Sequence, residues 1–278
     1  MKTYLTVVTD HSYLKGALIL AESLKNTGSK FPFTICITRE IELGYIDLIR
    51  RLNINIVILE DDIKIDNKFE KENSKNGYGH WNNTFIKLKI FSLIEFEKII
   101  YLDSDMMVTT NLDHLFECNH MSAVVAGGFI RKDWKDLNSG IMVIVPQPFL
   151  DQKIADKITE VSSIKEIFGN QDLIQAFYKE WTKSNLSLDY KYNVFAQDVK
   201  AYTARRYNLN FKNVDNNTLC VIHFVGKKKP WNHSFLTVIL QCLKLIFRCN
   251  YPLLKIYLMY YSYLFEINKL FKNIKLVK

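Results

Sequence analysis

The chain has 278 residues, 48% of them hydrophobic and 24% charged, with 37 basic against 29 acidic side chains and a net charge of +8. That length buries a substantial core, as one α/β domain or one domain with an appendage, and the composition is ordinary for a soluble globular protein. Five cysteines (Cys36, Cys118, Cys220, Cys242 and Cys249), odd in number and without Cys-x-x-Cys spacing, argue against a disulfide framework or zinc knuckle and for a reducing compartment.

The first apolar run, Tyr4 to Thr9, is rich in β-branched residues and too short for a signal peptide, so it predicts the first strand of a cytoplasmic domain. After the polar loop Asp10 to Ser12, Leu14, Ala17, Leu18, Ala21 and Leu24 recur at helical spacing. Phe33 to Thr38 and Ile54 to Leu59 predict further buried strands, with a helix, Leu43 to Leu52, between them. Strand-helix-strand alternation of this kind predicts a parallel sheet with helices on both faces. Asp61 to Gly79 is polar and aperiodic, which predicts a loop over the strand ends, where loops tend to be functional. Phe85 to Phe96 predicts a helix with Lys87 in its first turn, leading into a continuous apolar strand, Lys98 to Leu102. Ser122 to Ala126 reads as a short strand ended by Gly127 and Gly128. Asn138-Ser139-Gly140 precedes a buried strand, Ile141 to Val145, closed by Pro146. Gly169-Asn170-Gln171-Asp172 stands before a helical stretch, Leu173 to Trp181, and Cys220 to Val225 is the last core strand.

The composition shifts near Trp231, which divides the chain into a domain, 1–231, and a tail, 232–278. Past Gly226 there are ten basic residues against the single acid Glu266, so the rest of the chain is close to neutral. Thr237, Gln241, Lys244 and Arg248 form one polar helical stripe, and Lys255, Ser262, Glu266, Lys269 and Asn273 form a second. No uncharged apolar run reaches the roughly 18 residues that span a bilayer. A basic, aromatic-rich helix pair suits an anionic membrane surface on the cytoplasmic face; the same pattern suits packing on the protein's own sheet or against a second copy. Basic residues interleaved with aliphatic ones at helical spacing argue against nucleic acid as a partner.

The chemistry concentrates after Leu102, where the strand ends in Asp103-Ser104-Asp105. In an open α/β sheet, ligands gather outside the carboxyl ends of the strands. Two acids at i and i+2 repel each other when ionised, and a hard divalent cation bound by both relieves that repulsion. By itself the spacing is also that of a solvated, Asp-rich turn. Taken alone, His223 is equally a hydrogen-bonded core histidine, Lys227 to Lys229 a solvated run, and Tyr13 a packing residue at a helix start.

Taken in order, these segments resemble the retaining glycosyltransferases of family 8, the group of glycogenin and the bacterial lipooligosaccharide galactosyl- and glucosyltransferases, over Lys2 to Trp231. Val8-Thr9-Asp10-His11-Ser12-Tyr13-Leu14-Lys15-Gly16-Ala17-Leu18 is similar to the glycogenin opening. The resemblance implies that this segment, through Thr9, Asp10 and Tyr13 and with Val7 just before it, holds the uridine of a UDP-sugar. It places Lys87 near the donor diphosphate and sugar, and Asn138-Ser139-Gly140 as the Asn-x-Gly that bonds the donor sugar. Asp103-Ser104-Asp105 resembles the family's Asp-x-Asp, and His223-Phe224-Val225-Gly226-Lys227-Lys228-Lys229-Pro230-Trp231 its His-x-x-Gly-x-x-Lys-Pro-Trp. Asp103, Asp105 and His223 are thereby implied as ligands of Mn²⁺ or another divalent cation, with Gly226 and Lys229 on the diphosphate. Mixed carboxylate and imidazole ligation suits Mn²⁺ better than Mg²⁺. The implied fold is α/β of GT-A type: one Rossmann-like nucleotide-sugar domain with a mostly parallel sheet, plus C-terminal amphipathic helices.

One departure bears on mechanism. The family pattern has Asp-Gln where this chain has Asn170-Gln171. Asn170 keeps the shape and the acceptor but gives up the charge, so it cannot act as a nucleophile. Either Asp172 takes over, or a front-face displacement proceeds with Gln171 and the leaving phosphate steadying an oxocarbenium-like state; the second is preferred. Altered activity or donor preference is a third outcome. The implied function is transfer of glucose or galactose from a UDP-sugar, with retention, to a glycan or glycolipid acceptor. Two alternatives stand beside it. One is a glycogenin-like self-glucosylating primer using Tyr202 or Tyr207. The other is a module that holds a nucleotide sugar or glycan without turnover.

Overall fold

Apolar, β-branched runs form β1 (Lys2–Val8), β2 (Phe33–Ile37), β3 (Asn55–Ile58) and β4 (Lys98–Leu102), all parallel to one another. The computed structural model describes residues 1–60, 75, 79–128, 130–165, 168–209, 211 and 217–272. The loop expected at Asp61 to Gly79 lies almost wholly outside them, as does the end of the tail, 273–278. Among the described residues the main sheet runs β3-β2-β1-β4-β7-β6-β8, where β6 is Ala123–Val125, β7 is Leu137–Ile144 and β8 is Ser187–Leu188. β7 is antiparallel to both β4 and β6, so the sheet is mixed but mostly parallel. A second, three-stranded sheet pairs β5 (Met106–Val108), β10 (Val221–His223) and β9 (Val194–Phe195).

Side chains alternate across the strands, so the sheet buries both faces. On one face Val8, Ile35 and Ile37 pack with α1 (Leu14–Lys25) and α2 (Leu43–Arg51). On the other, Leu5, Cys36, Ile99 and Tyr101 pack with the 3-10 helix Gly79–Ser92, α3 (Leu150–Ala155), α4 (Ile158–Ser162) and α5 (Asn170–Phe177). Two expectations are corrected here. The helix expected at Phe85 to Phe96 is that 3-10 helix, ending at Ser92, with Lys87 well inside it. Phe85, Ile86, Leu88, Ile90 and Phe91 are all buried, so no solvent face imposes a 3.6-residue period. Asn138-Ser139-Gly140 does not precede the strand; it lies within β7, because Asp103 N–H donates to Gly140 O (2.9 Å) on one side and Asn138 pairs with Val124 of β6 on the other.

The C-terminal segment divides in two. α8 (Tyr251–Phe271) buries Leu253, Ile256, Tyr260, Leu264 and Ile267 in the same core as α1 and α6 (Val199–Arg205). α7 (Phe235–Phe247) buries only Leu245, leaving Phe235 and Phe247 82% and 84% exposed, with Leu236, Ile239, Leu240, Leu243 and Ile246 also open. No described helix is long and apolar enough to cross a membrane.

Candidate active site

Each acid is held by the backbone that follows β4. The chain turns at Asp103, with Met106 N–H donating to Asp103 O, and β5 then pairs antiparallel with β10 so that Met106 faces His223. Phe224 N–H donates to Asp105 O and fixes the end of that pairing. Consequently one oxygen from each of Asp103 and Asp105 and a ring nitrogen of His223 lie within 4.8 Å of one another. His223 Nε2 is 3.0 Å from Asp105 Oδ1 and 3.9 Å from Asp103 Oδ2. Two carboxylates and an imidazole at that spacing are a donor set that fits one divalent cation, with coordination positions left for ligand oxygens.

Two buried lysines balance the acids. Lys87 Nζ donates to Asp103 Oδ1 (3.0 Å), Ser139 O (2.6 Å) and Ser139 Oγ (3.3 Å), and stands 4.2 Å from the centre of the Tyr101 ring. Lys229 Nζ donates to Asp105 Oδ2 (2.5 Å) and Phe224 O (3.0 Å). Burial pushes the Lys87 pKa down, and the Asp103 carboxylate works against that. Burial alone would raise the pKa of Asp105, but the neighbouring His223 and Lys229 outweigh it and hold the carboxyl well below its usual range. Tyr101 OH donates to Asp103 Oδ1 (2.6 Å), and burial followed by that carboxylate raises its own pKa far above the ordinary phenol value.

β7 is the hub that joins the rest. Gln171 Oε1 accepts from Ser139 N–H (3.0 Å), and Asn170 Oδ1 accepts from Ser139 Oγ (3.3 Å). Asn138 Oδ1 accepts from Gly140 N–H and from Asn193 Nδ2, both at 2.8 Å. Asn193 Oδ1 lies 2.9 Å from His223 Nδ1. Gly140 is needed for closeness: a Cβ there would stand 2.8 Å from Met106 Cε and 2.9 Å from both Asn138 Oδ1 and His223 Cε1. Gly226, in contrast, is exposed at φ +103°, a backbone conformation that other residues rarely adopt.

The structure thus brings together Lys87, Asp103, Asp105, Asn138, Ser139, Gly140, Asn170, Gln171, His223 and Lys229, with Ser104 buried in the turn between the acids. Val7 and Thr9 sit at the end of β1, and Asp10 Oδ1 caps the next turn through Ser12 N–H. Tyr13 meets the Trp231 ring edge-on at 5.6 Å. Asp172 is not brought in. It lies in the first turn of α5, where Oδ2 accepts from Gly169 N–H (2.9 Å) and Oδ1 from Lys165 (2.5 Å). α5 begins at Asn170 rather than Leu173, so Asp172 does the work of a helix cap. Tyr202 and Tyr207 are both buried, Tyr207 with its hydroxyl donated to Asp189.

Sequence reasoning missed Tyr101 and Asn193. Tyr101 was within reach, because it lies two residues before Asp103, near the end of β4, and the strand's alternation carried one residue past Leu102 puts both on one face. Asn193 carries no local pattern; β9 pairing with β10 brings it beside His223. A cleft of about 640 Å³ between α1 and α8, lined by Leu18, Glu22, Phe33, Tyr263 and Ile267 among others, contains none of the residues above.

Parallel strands that end at two carboxylates, an imidazole and two buried lysines define a class of α/β protein fitted to an anionic ligand and a cation together. The chain belongs to glycosyl transferase family 8, whose sequence model matches residues 4–234. It is similar to an uncharacterised protein of Acanthamoeba polyphaga mimivirus, 26% identical over 82% of each chain. It is 26% identical to glycogenin-1 of Oryctolagus cuniculus over 84% of this chain and 66% of that one. Against glycogenin-1 of Caenorhabditis elegans the figures are 28%, 84% and 51%, so the chain spans about half of that relative. Among solved structures, the galactosyltransferase LgtC with donor and acceptor sugar analogues matches at TM-score 0.59 and 14% identity, over 84% of this chain and 91% of that one. GlyE of Streptococcus pneumoniae matches at TM-score 0.58 and 17% identity, over 99% and 64%. These likenesses show a GT-A-like fold.

Proposed function

We propose that the protein is a retaining, Mn²⁺-dependent glycosyltransferase that moves a hexose, glucose or galactose, from a UDP-sugar to a glycan or glycolipid acceptor. The convergence of Asp103, Asp105 and His223 between Lys87 and Lys229 carries this reading. A divalent cation bound there would supply positive charge against that of the departing diphosphate. Asp103, Asp105 and His223 hold it, while Lys229 and the Gly226 backbone bind the phosphates and Lys87 steadies the sugar end through Ser139. The end of β1, with Val7, Thr9, Asp10 and Tyr13, receives the uridine.

Retention is assigned to front-face displacement. The C1–O bond to the diphosphate breaks, the acceptor oxygen bonds to C1 from the same side, and its proton passes to the departing phosphate oxygen. Asn170 and Gln171 orient the donor through Ser139, and the position of Asp172 in a helix cap supports a mechanism with no carboxylate nucleophile. The burial of Tyr202 and Tyr207 supports a separate acceptor over a self-glucosylating primer. A complete, charge-balanced ligand set supports catalysis over a module that only binds.

The division at Trp231 is narrowed in the proposal: α8 packs in the domain core, and α7 is the exposed part of the tail. Its open apolar side chains, with Lys244 and Arg248 at its C-terminal end, suit an anionic lipid surface that presents a glycolipid acceptor. The experiment is turnover of a panel of UDP-sugars, with acceptors offered free in solution and in anionic or neutral vesicles. One hexose donor turned over fastest with anionic vesicles supports the whole reading. Equal rates on all surfaces remove the membrane, and no turnover of any donor removes the enzyme.

A further inference from the structure

We propose that a cleft at the edge of the main sheet is an acceptor subsite that selects an acidic glycan, one carrying a phosphate or carboxylate away from the hydroxyl to be glycosylated. The cleft has a volume of about 430 Å³. Lys132 and Lys135, on the turn after β6, form one wall; Trp181 and Thr182 of the 3-10 helix Lys179–Lys183, with Ser187 of β8 and Tyr190, form the other. Among the described residues no carboxylate lines it. Other lysines nearby are neutralised, Lys179 by Glu160 (2.7 Å) and Lys183 by Glu180 (2.8 Å). Lys132 and Lys135 are exposed and, among the described residues, stand in no salt bridge. Asp136 on the same turn accepts from Trp134 Nε1 (3.2 Å) and lies outside the lining. A concave wall with two free ammonium groups and no acid focuses positive potential, so the complementary ligand is an anion, with the Thr182 and Ser187 hydroxyls at hand for its polar neighbours.

The position of the cleft makes that ligand an acceptor. Val125 and Gly128 line both the cleft and a small recess that reaches Asn193, whose amide donates to Asn138 Oδ1 (2.8 Å). Asn138 pairs with Val124 and Val124 with Leu188, so two strand spacings, about 10 Å, separate the Asn138 end of the donor site from the edge that carries the cleft. Trp134, 38% exposed, lines the recess between them and offers a sugar ring an apolar face. A glycan with its attacked hydroxyl at the donor sugar extends along this path and brings its anionic group to Lys132 and Lys135.

This inference rests on the transferase reading above, and the experiment separates the two. Labelled protein, with UDP and Mn²⁺ present, is applied to an array of matched neutral, phosphorylated and uronic acid oligosaccharides at low and high salt, as wild type and as the double variant Lys132→Gln with Lys135→Gln. Wild type is expected to hold acidic glycans over their neutral counterparts, most strongly at low salt, and the phosphate and carboxylate arms show which anion the cleft takes. The double variant is expected to hold the acidic glycans about 3–30-fold less tightly, with its melting temperature and calorimetric affinity for UDP unchanged. Neutral glycans held as well as acidic ones, equal retention by both proteins, or no retention overturns the proposal. The glycans held are then offered with the UDP-hexose. Transfer to them, with KM raised and kcat kept in the double variant, supports it. Release of UDP without transfer to any acidic glycan overturns this inference alone. No release of UDP from any donor removes the transferase, and the acceptor role with it.

Discussion

Gly140→Ala sets two effects of opposite sign against each other. Gly140 is not among the glycines with positive φ, so an alanine fits its backbone, and the smaller freedom of the unfolded chain would by itself stabilise the protein by about 0.4–1 kcal/mol. The added methyl, however, would meet Met106 Cε at 2.8 Å and both Asn138 Oδ1 and His223 Cε1 at 2.9 Å, well inside the ~3.5–4.0 Å of a relaxed contact. Met106 Cε is the free end of a flexible chain and can turn away. Asn138 Oδ1 is held by two hydrogen bonds, and His223 is held by Asn193 and by β10, so neither yields without breaking something. Overpacking of this kind costs about 1–3 kcal/mol, which exceeds the gain. The net loss, about 1–2 kcal/mol, lowers the melting temperature by roughly 2–8 °C in a chain of this size. Because the displaced atoms include a proposed metal ligand, Mn²⁺ affinity falls with it. Scanning fluorimetry and calorimetric Mn²⁺ titration read both. An unchanged or raised melting temperature with unchanged Mn²⁺ affinity would refute the packing argument.

His120 gives a pH prediction. Its Nδ1 accepts from Val145 N–H at 3.0 Å while Nε2 lies 2.7 Å from Tyr178 OH, so the folded protein wants the neutral ring, and burial pulls the pKa down from 6.5 to about 4. The unfolded chain takes up a proton near pH 6.5 that the folded chain resists until about pH 4, so this stability is complete above pH 6.5 and is lost as pH falls through that window. Urea denaturation at pH 7 and pH 5 should show wild type losing about 1 kcal/mol more than His120→Gln, allowing for the partly open ring; parallel losses would contradict it. Asp172→Ala should lower stability by about 0.5–2 kcal/mol through the lost cap, with turnover within about twofold of wild type. A large fall in turnover at unchanged melting temperature would return Asp172 to the chemistry.

Much of this was legible because it is local. Continuous apolar runs marked β1, β2 and β4, and the abrupt change to Asp103-Ser104-Asp105 marked the end where ligands collect. His223 and Lys229 stood out only as parts of a spaced motif, and the second sheet supplies the reason for the spacing: β10 delivers His223, and the turn after it returns Lys229 to Asp105. The expectations that failed depended on partners far along the chain. Asn138-Ser139-Gly140 breaks an apolar pattern and so reads as preceding the strand, yet pairing with β6 and the bond from Asp103 keep it inside. Asp172 is a different case: its partners Gly169 and Lys165 are local, and the cap was hidden because the helix begins at Asn170 rather than Leu173. Asn193 joins residues 55 positions before it and 30 after it, and no local period announces such a bond.

The most direct test of the central claim is release of UDP from a UDP-hexose by purified protein, with Mn²⁺ or with EDTA, in wild type and Asp105→Ala, with circular dichroism to confirm that the variant is folded. The expected result is release that requires both the cation and Asp105. Release that persists in EDTA, or in folded Asp105→Ala, would contradict it.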